Sequence, residues 1–174
     1  MTGADPIERV REALWPSSGR QPWNVYAVLD AARNERIHPA VMQSGLEQAC
    51  LYAGKIPQTL SEVAPYLVKL TKDAPFAKEL LEKGWGDAWG VYVLSTATLE
   101  ELRRHFRRLL KVQDEAGRSM IFRFYDPRVL RIYLPTCNAG ELAHVFGPVG
   151  MFVLEGEDRA EVIRFHREGR VSDG

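Results

Sequence analysis

Apolar residues in this chain fall into short, nearly unbroken runs, separated by stretches where they recur every three or four positions. Trp23 to Ala32 (WNVYAVLDAA) carries Val25, Tyr26, Ala27, Val28 and Leu29 in succession, and Trp89 to Thr96 (WGVYVLST) is built the same way. Runs that are apolar at both parities read as strands covered on both faces. Between Ser119 and Tyr125, Met120, Phe122 and Phe124 alternate with Ile121, Arg123 and Tyr125, predicting a further covered strand around which the chain is organised. It stops at Asp126-Pro127, where the carboxylate can accept from free amides and the proline presets φ for a first helical turn. The helix that follows carries Val129, Leu130, Tyr133 and Leu134 and ends by Pro135. Cys50 to Gly54 reads as a short strand, and Pro65 demotes Tyr66 to Leu70 to an edge strand. Gly150 to Leu154 and Ala160 to His166, joined by Glu155-Gly156-Glu157-Asp158, read as a hairpin.

Helical spacing appears in four more places. His38-Pro39 opens a helix striped by Val41, Met42, Leu46 and Ala49, and Ala74 to Lys83 turns Phe76, Leu80 and Leu81 inward before a stop at Gly84. Thr98 and Glu101 form a capping box ahead of the stripe Leu99, Leu102, Phe106, Leu109 and Leu110. Asn138 caps a short helix from Ala139 to Phe146, stopped by Gly147-Pro148. Strand, helix and strand from Trp23 to Gly54 suggest a right-handed crossover. The expected fold is therefore α/β: a single compact domain with a mixed, mostly parallel central sheet, flanking helices and a C-terminal hairpin. Residues 1–22 are expected as a loosely attached leader despite a short amphipathic helix at Pro6 to Leu14, residues 23–168 as the domain, and residues 169–174 as a fraying tail. A division into two lobes near residue 117 stays open.

Composition narrows the function. A length of 174 residues with 45% hydrophobic residues suits one well-filled core. Lys plus Arg and Asp plus Glu number 23 each, so no global field draws the protein to nucleic acid or to an anionic membrane. Cations do gather locally, at Arg103, Arg104, Arg107, Arg108 and Lys111, but Glu100 and the helix C-terminus account for most of them as a solvated face. The two cysteines, Cys50 and Cys137, have no metal or redox spacing, and the charged N-terminal stretch is no secretion signal. A cytoplasmic protein with no membrane partner is the expectation.

No common catalytic signature is present: the chain lacks G-x-G-x-x-G, a Walker lysine loop, H-E-x-x-H and G-x-S-x-G. His38, His105, His144 and His166 lie on four different elements, and Cys137 with His144 lacks a base-orienting partner. No catalytic residue, metal ligand or cofactor is expected. Two other features stand out. Trp85-Gly86-Asp87-Ala88-Trp89-Gly90 presents two indoles on a loop of small residues, either as lids on the core or as binding anchors. Arg123 and Arg128 bracket Asp126, either as a structural latch or as a partner-binding charge. A different class of function, a small-ligand protein or enzyme, would place its site beyond the strand ends at Asp30, Ser95 and Asp126.

Several segments taken together resemble a known family: YAVLDAAR (Tyr26 to Arg33), LYAG (Leu51 to Gly54), APYLVKL (Ala64 to Leu70), GWGDAWGVYVLS (Gly84 to Ser95), RRHFRRLLKV (Arg103 to Val112), FRFYDPRVL (Phe122 to Leu130) and FGPV (Phe146 to Val149). They are similar to the family first catalogued as domain of unknown function 4123, with FRFYDPRVL and the paired GWG and WG as the most specific pieces. The resemblance implies a non-catalytic adaptor chaperone of bacterial type VI secretion, which holds a toxic effector in the cytoplasm and helps load it onto the spike protein. On that implication the partner-binding residues would be Trp85 and Trp89 for apolar contact and Arg123, Tyr125, Asp126 and Arg128 for the motif surface.

Overall fold

A computed structural model describes residues 5–19 and 22–171. In chain order the elements are α1 (Pro6–Leu14), β1 (Asn24–Asp30), α2 (Ile37–Gln43), β2 (Gln48–Cys50), α3 (Gln58–Ser61), β3 (Pro65–Leu70), α4 (Pro75–Gly84), β4 (Gly90–Ser95) and α5 (Leu99–Leu110). There follow β5 (Lys111–Gln113), β6 (Ser119–Ile121), α6 (Pro127–Tyr133), a 3-10 turn (Leu134–Thr136), α7 (Ala139–Phe146), β7 (Met151–Glu155), β8 (Val162–His166) and β9 (Gly169–Val171).

Seven strands form one sheet in the order β2-β3-β1-β4-β7-β8-β9, and every neighbouring pair in it is antiparallel. The expectation of a mostly parallel sheet is therefore overturned. Unbroken apolar runs had suggested parallel strands, but what they record is cover on both faces. Along β1, Tyr26 and Val28 face a layer with Leu102, Phe106, Leu130 and Phe146 from α5, α6 and α7. Val25, Ala27 and Leu29 face the other layer, with Val10, Val41, Leu80 and Leu81 from α1, α2 and α4. An antiparallel strand between two helical layers has no solvent face, so it loses its polar alternation just as a parallel one does.

The crossover fails for the same reason. β2 pairs with β3, not with β1, and β3 lies inside the sheet between β2 and β1 instead of at an edge. Pro65 is tolerated there as the first residue of β3, where its carbonyl accepts from Leu51 N–H at 2.9 Å.

The stretch expected as the central strand is strand only from Ser119 to Ile121, where it pairs with β5 in a separate two-stranded ribbon. Met120 and Ile121 are 53% and 54% exposed. Past Phe122 the backbone turns, with Phe124 N–H donating to Phe122 O at 2.9 Å and Asp126 N–H to Arg123 O at 3.1 Å. Phe124 dives into the core and stacks on Phe106 at 5.0 Å between centroids. The chain beyond residue 117 thus returns to the layer that α5 began.

Both ends of the domain are tied down further than expected. In α1, Val10 and Leu14 are fully buried, and Arg9 donates to Ala160 O at 3.3 Å, so the leader is docked from Asp5 to Leu14. Gly169–Val171, expected to fray, pairs with β8 as β9, while residues 1–4, 20, 21 and 172–174 lie outside the described residues. Among the described residues no helix is long and apolar enough to cross a membrane.

The capping boxes of α5 (Thr98, Glu101) and α7 (Asn138, Glu141) both form. Between these helices lies His105, buried, with Nε2 on Val145 O at 2.8 Å and its ring filling the space where Gly147 has no Cβ. Burial pushes its pKa below the ordinary 6.5, outweighing the hydrogen bond to Val145 O, and Arg108 and His144 push the same way. A base whose folded pKa is lowered binds its proton more readily in the unfolded chain. Its contribution is intact above about pH 6.5 and is lost as pH falls from there towards the lower folded value. Thermal melts should show Tm falling as pH drops below about 6.5, with a flatter slope in His105→Gln.

Candidate functional site

Two charge-stabilised arrangements sit at one end of the sheet, where β1 and β7 end and β4 begins. The first is built on Asp30, the last residue of β1, which shares its parity with Tyr26 and Val28 and so faces the α5–α7 layer. Arg123 Nη2 donates to Asp30 Oδ2 at 2.7 Å and lies 3.7 Å from Asp126 Oδ2. Asp126 caps α6 through Arg128 N–H at 2.9 Å, and the Arg128 guanidinium grips the same carboxylate at 3.0 and 2.8 Å. This two-pronged geometry is the strong form of an arginine–carboxylate contact. The guanidinium carbon of Arg123 also sits 5.9 Å from the centre of the Tyr125 ring.

Both carboxylates are buried, while the side chains of Arg123 and Arg128 are 48% exposed. Burial drives the Asp126 carboxyl upward, but the hydrogen bonds and charge of Arg128, with the charge of Arg123, outweigh it and hold the group below its usual range. Tyr125 is pushed up to about 12, by burial first and then by Tyr52 and Asp30. Arg123 therefore fastens the irregular link at residues 122–126 to the end of β1, and Arg128 locks the start of α6.

The second arrangement explains the two-tryptophan loop. Glu155, buried at the end of β7, accepts from Gly86 N–H at 2.7 Å and from Ala88 N–H at 2.8 Å. Gly86 and Ala88 are both left-handed, with φ of 88° and 54°, which turns their amides towards one carboxylate. Trp85 Nε1 donates to Arg159 O at 2.9 Å and Trp89 Nε1 to Asp87 Oδ2 at 3.0 Å. Arg33 clasps the loop from outside through Asp87 O at 2.9 Å and Asp87 Oδ1 at 3.5 Å. Burial pushes the Glu155 carboxyl up against the pull of those two amides and of Arg131. The indoles are 2% and 5% exposed, so both are part of the core, and Gly90 lets β4 pass directly over the Val28 carbonyl.

Of the residues singled out in the sequence, then, Trp85, Trp89, Tyr125 and Asp126 are buried, and Arg123 and Arg128 alone reach the surface in part. Ser95 does not join Asp30 and Asp126. It lies opposite Asn24 at the other end of β1, with its hydroxyl donating to Pro148 O at 2.6 Å, because antiparallel neighbours point their carboxyl ends in opposite directions. Cys137 donates to Tyr133 O at 3.4 Å, and burial pushes its thiol above the ordinary value, the opposite of an activated nucleophile.

The basic helix face is largely occupied. Arg103 and Arg104 both hold Glu100, whose carboxyl is brought down to about 2, chiefly by the Arg103 hydrogen bond. Arg107 donates to Cys50 O at 2.9 Å and so pins α5 to β2. Among the described residues no three metal-ligating side chains converge. Sequence reasoning missed Glu155, read as part of an acidic connection, and Arg33. The signal for Glu155 was a lone carboxylate closing an apolar strand, as Asp30 closes β1.

The segments that build the first arrangement and the tryptophan loop of the second belong to one pattern. A family model described as Domain of unknown function (DUF4123) matches residues 25–144, about two-thirds of the chain. The chain belongs to that family. No match was found among curated proteins or among solved structures. The DUF4123 match starts in β1 and ends within α7, so it takes in Asp30, the tryptophan loop and the Arg123–Arg128 segment. Glu155 and the strands β7 to β9 lie beyond it. In this chain the tryptophan loop and the Arg123–Arg128 segment therefore fasten one end of the sheet.

Proposed function

We propose that the protein is a non-catalytic adaptor chaperone that binds a type VI secretion effector in the bacterial cytoplasm and helps load it onto the spike protein. Membership of the DUF4123 family is the observation that carries this reading. The surface lends support. The β5–β6 ribbon exposes Val112 and Met120 opposite each other on one face and Ile121 on the other. Large apolar side chains left in solvent on both faces of a short ribbon suit a segment that another protein covers. Of the positions the family resemblance indicated, Arg123 and Arg128 are half exposed but spend their guanidinium groups on Asp30 and Asp126, and the tryptophans support from within.

The test is affinity purification of the tagged protein from its own cytoplasm, with mass spectrometry after a high-salt wash. The expected result is one large toxin-like protein retained, with or without the spike. Recovery of no protein, together with a small molecule bound to the purified sample, would overturn the proposal in favour of a ligand-binding function.

A further inference from the structure

On the face of the sheet away from α1, the end of α6, the 3-10 turn and α7 stand apart from β8 and leave an open cleft of about 660 Å³. Its floor is apolar: Leu134, Ile163 and Phe165 are buried there, and Leu142 and Pro135 continue the wall. Ile132 stands at its lip, 69% exposed, the most exposed of the large hydrophobic side chains on the described surface. The rim is charged but not balanced. Arg170 is held by Glu161 at 2.6 Å, and Arg131 lies against Glu155 O at 3.4 Å with its charge directed at the buried Glu155 carboxylate. Glu157 and Glu168 are exposed and face the cleft, and among the described residues no cation is paired to either.

We propose that this cleft is the docking groove for a basic amphipathic helix of a partner protein. Its apolar side chains would cover Ile132, Leu142 and Phe165, and its Lys or Arg residues would meet Glu157 and Glu168. An apolar floor whose unpaired rim charges are both acidic selects a basic segment, and the volume suits two or three apolar side chains of one helical face. Glu157 to Arg170, one whole wall, lies beyond the residues that the family model matches, and neither Asp30, Arg123, Asp126, Arg128 nor Glu155 lines the cleft. The inference deepens the adaptor reading by giving the chemistry of a segment it would hold.

The test uses a synthetic probe on the full chain: a fluorescent helical peptide with Leu on one face and Lys on the other, and a counterpart carrying Glu in place of Lys. Fluorescence anisotropy should show binding of the Leu/Lys peptide that weakens with added salt, and much weaker binding of the Leu/Glu peptide. Ile132→Asp should reduce affinity by about tenfold or more, with its melting curve unchanged because the side chain is exposed. Glu157→Lys with Glu168→Lys should reverse the preference between the two peptides. Equal binding of both peptides, or indifference to all three substitutions, would overturn the proposal. So would self-association in sedimentation that Ile132→Asp abolishes, since the groove would then be filled by a second copy. Because the probe is synthetic, its failure leaves the effector purification result standing, and the reverse also holds.

Discussion

Glu155→Ala is expected to destabilise the protein by about 3 kcal/mol, more than any change at the exposed arginines. The substitution takes the acceptor from the Ala88 amide, which is buried and bonded at 2.8 Å, and from the Gly86 amide at 2.7 Å on an exposed residue; a buried N–H left without an acceptor costs roughly 1–3 kcal/mol, and the exposed one less. Ala88 sits in a left-handed conformation that the carboxylate helps to hold, and relaxation of that strain of about 1–2 kcal/mol in the variant offsets part of the loss. Denaturant unfolding should record the loss, and hydrogen exchange should locate it in the loop from Trp85 to Trp89 and in β8, to whose approach Trp85 is bonded at Arg159. Glu155→Gln should fall between wild type and Ala, because one amide keeps its acceptor and the other faces an NH₂ group. A loss below about 1 kcal/mol for the alanine variant would mean that the indoles, not the carboxylate, hold the loop.

The second large effect belongs to Arg123. Arg123→Ala leaves the buried Asp30 carboxylate, among the described residues, with only the Ala32 amide, at 3.1 Å, as a donor. Breaking a fully buried ion pair costs about 3–5 kcal/mol, but the Arg123 side chain is 48% exposed, so screening brings the expectation down to about 2 kcal/mol. Asp30→Asn removes the charge yet can still accept from Ala32, so the double variant Asp30→Asn with Arg123→Ala should be more stable than Arg123→Ala alone. That ordering separates a stranded charge from a general loss of packing. Simple additivity of the two single losses would contradict it.

Much of the local structure was legible because it is encoded locally. Asp126-Pro127, Thr98 with Glu101, and Asn138 each start the helices they promised, since a cap is a contact within three residues. Strand direction was not legible. β1 and β4 are apolar at both parities whichever way their neighbours run, and only long-range register, such as Val28 against Leu67 and Val91, decides it. The Ser119–Tyr125 stretch misled for a related reason. Alternation cannot say whether a face is covered, and Met120 and Ile121 are left in solvent where Phe122 and Phe124 are packed. The site was half legible. The sequence drew Arg123, Asp126 and Arg128 together as neighbours, but Asp30, 93 positions from Arg123, could be joined to it only by the fold.

The central claim is that the motif residues close the sheet while the exposed ribbon meets the cargo. The most direct measurement is the effector purification run side by side on wild type and on Met120→Asp with Ile121→Asp, each with its melting temperature. Both side chains are more than half exposed, so the substitutions should leave Tm unchanged and remove the retained effector from the eluate. An eluate in which that variant still holds its effector, while Arg128→Glu loses it at an unchanged Tm, would contradict the claim and make the FRFYDPRVL surface the place of binding.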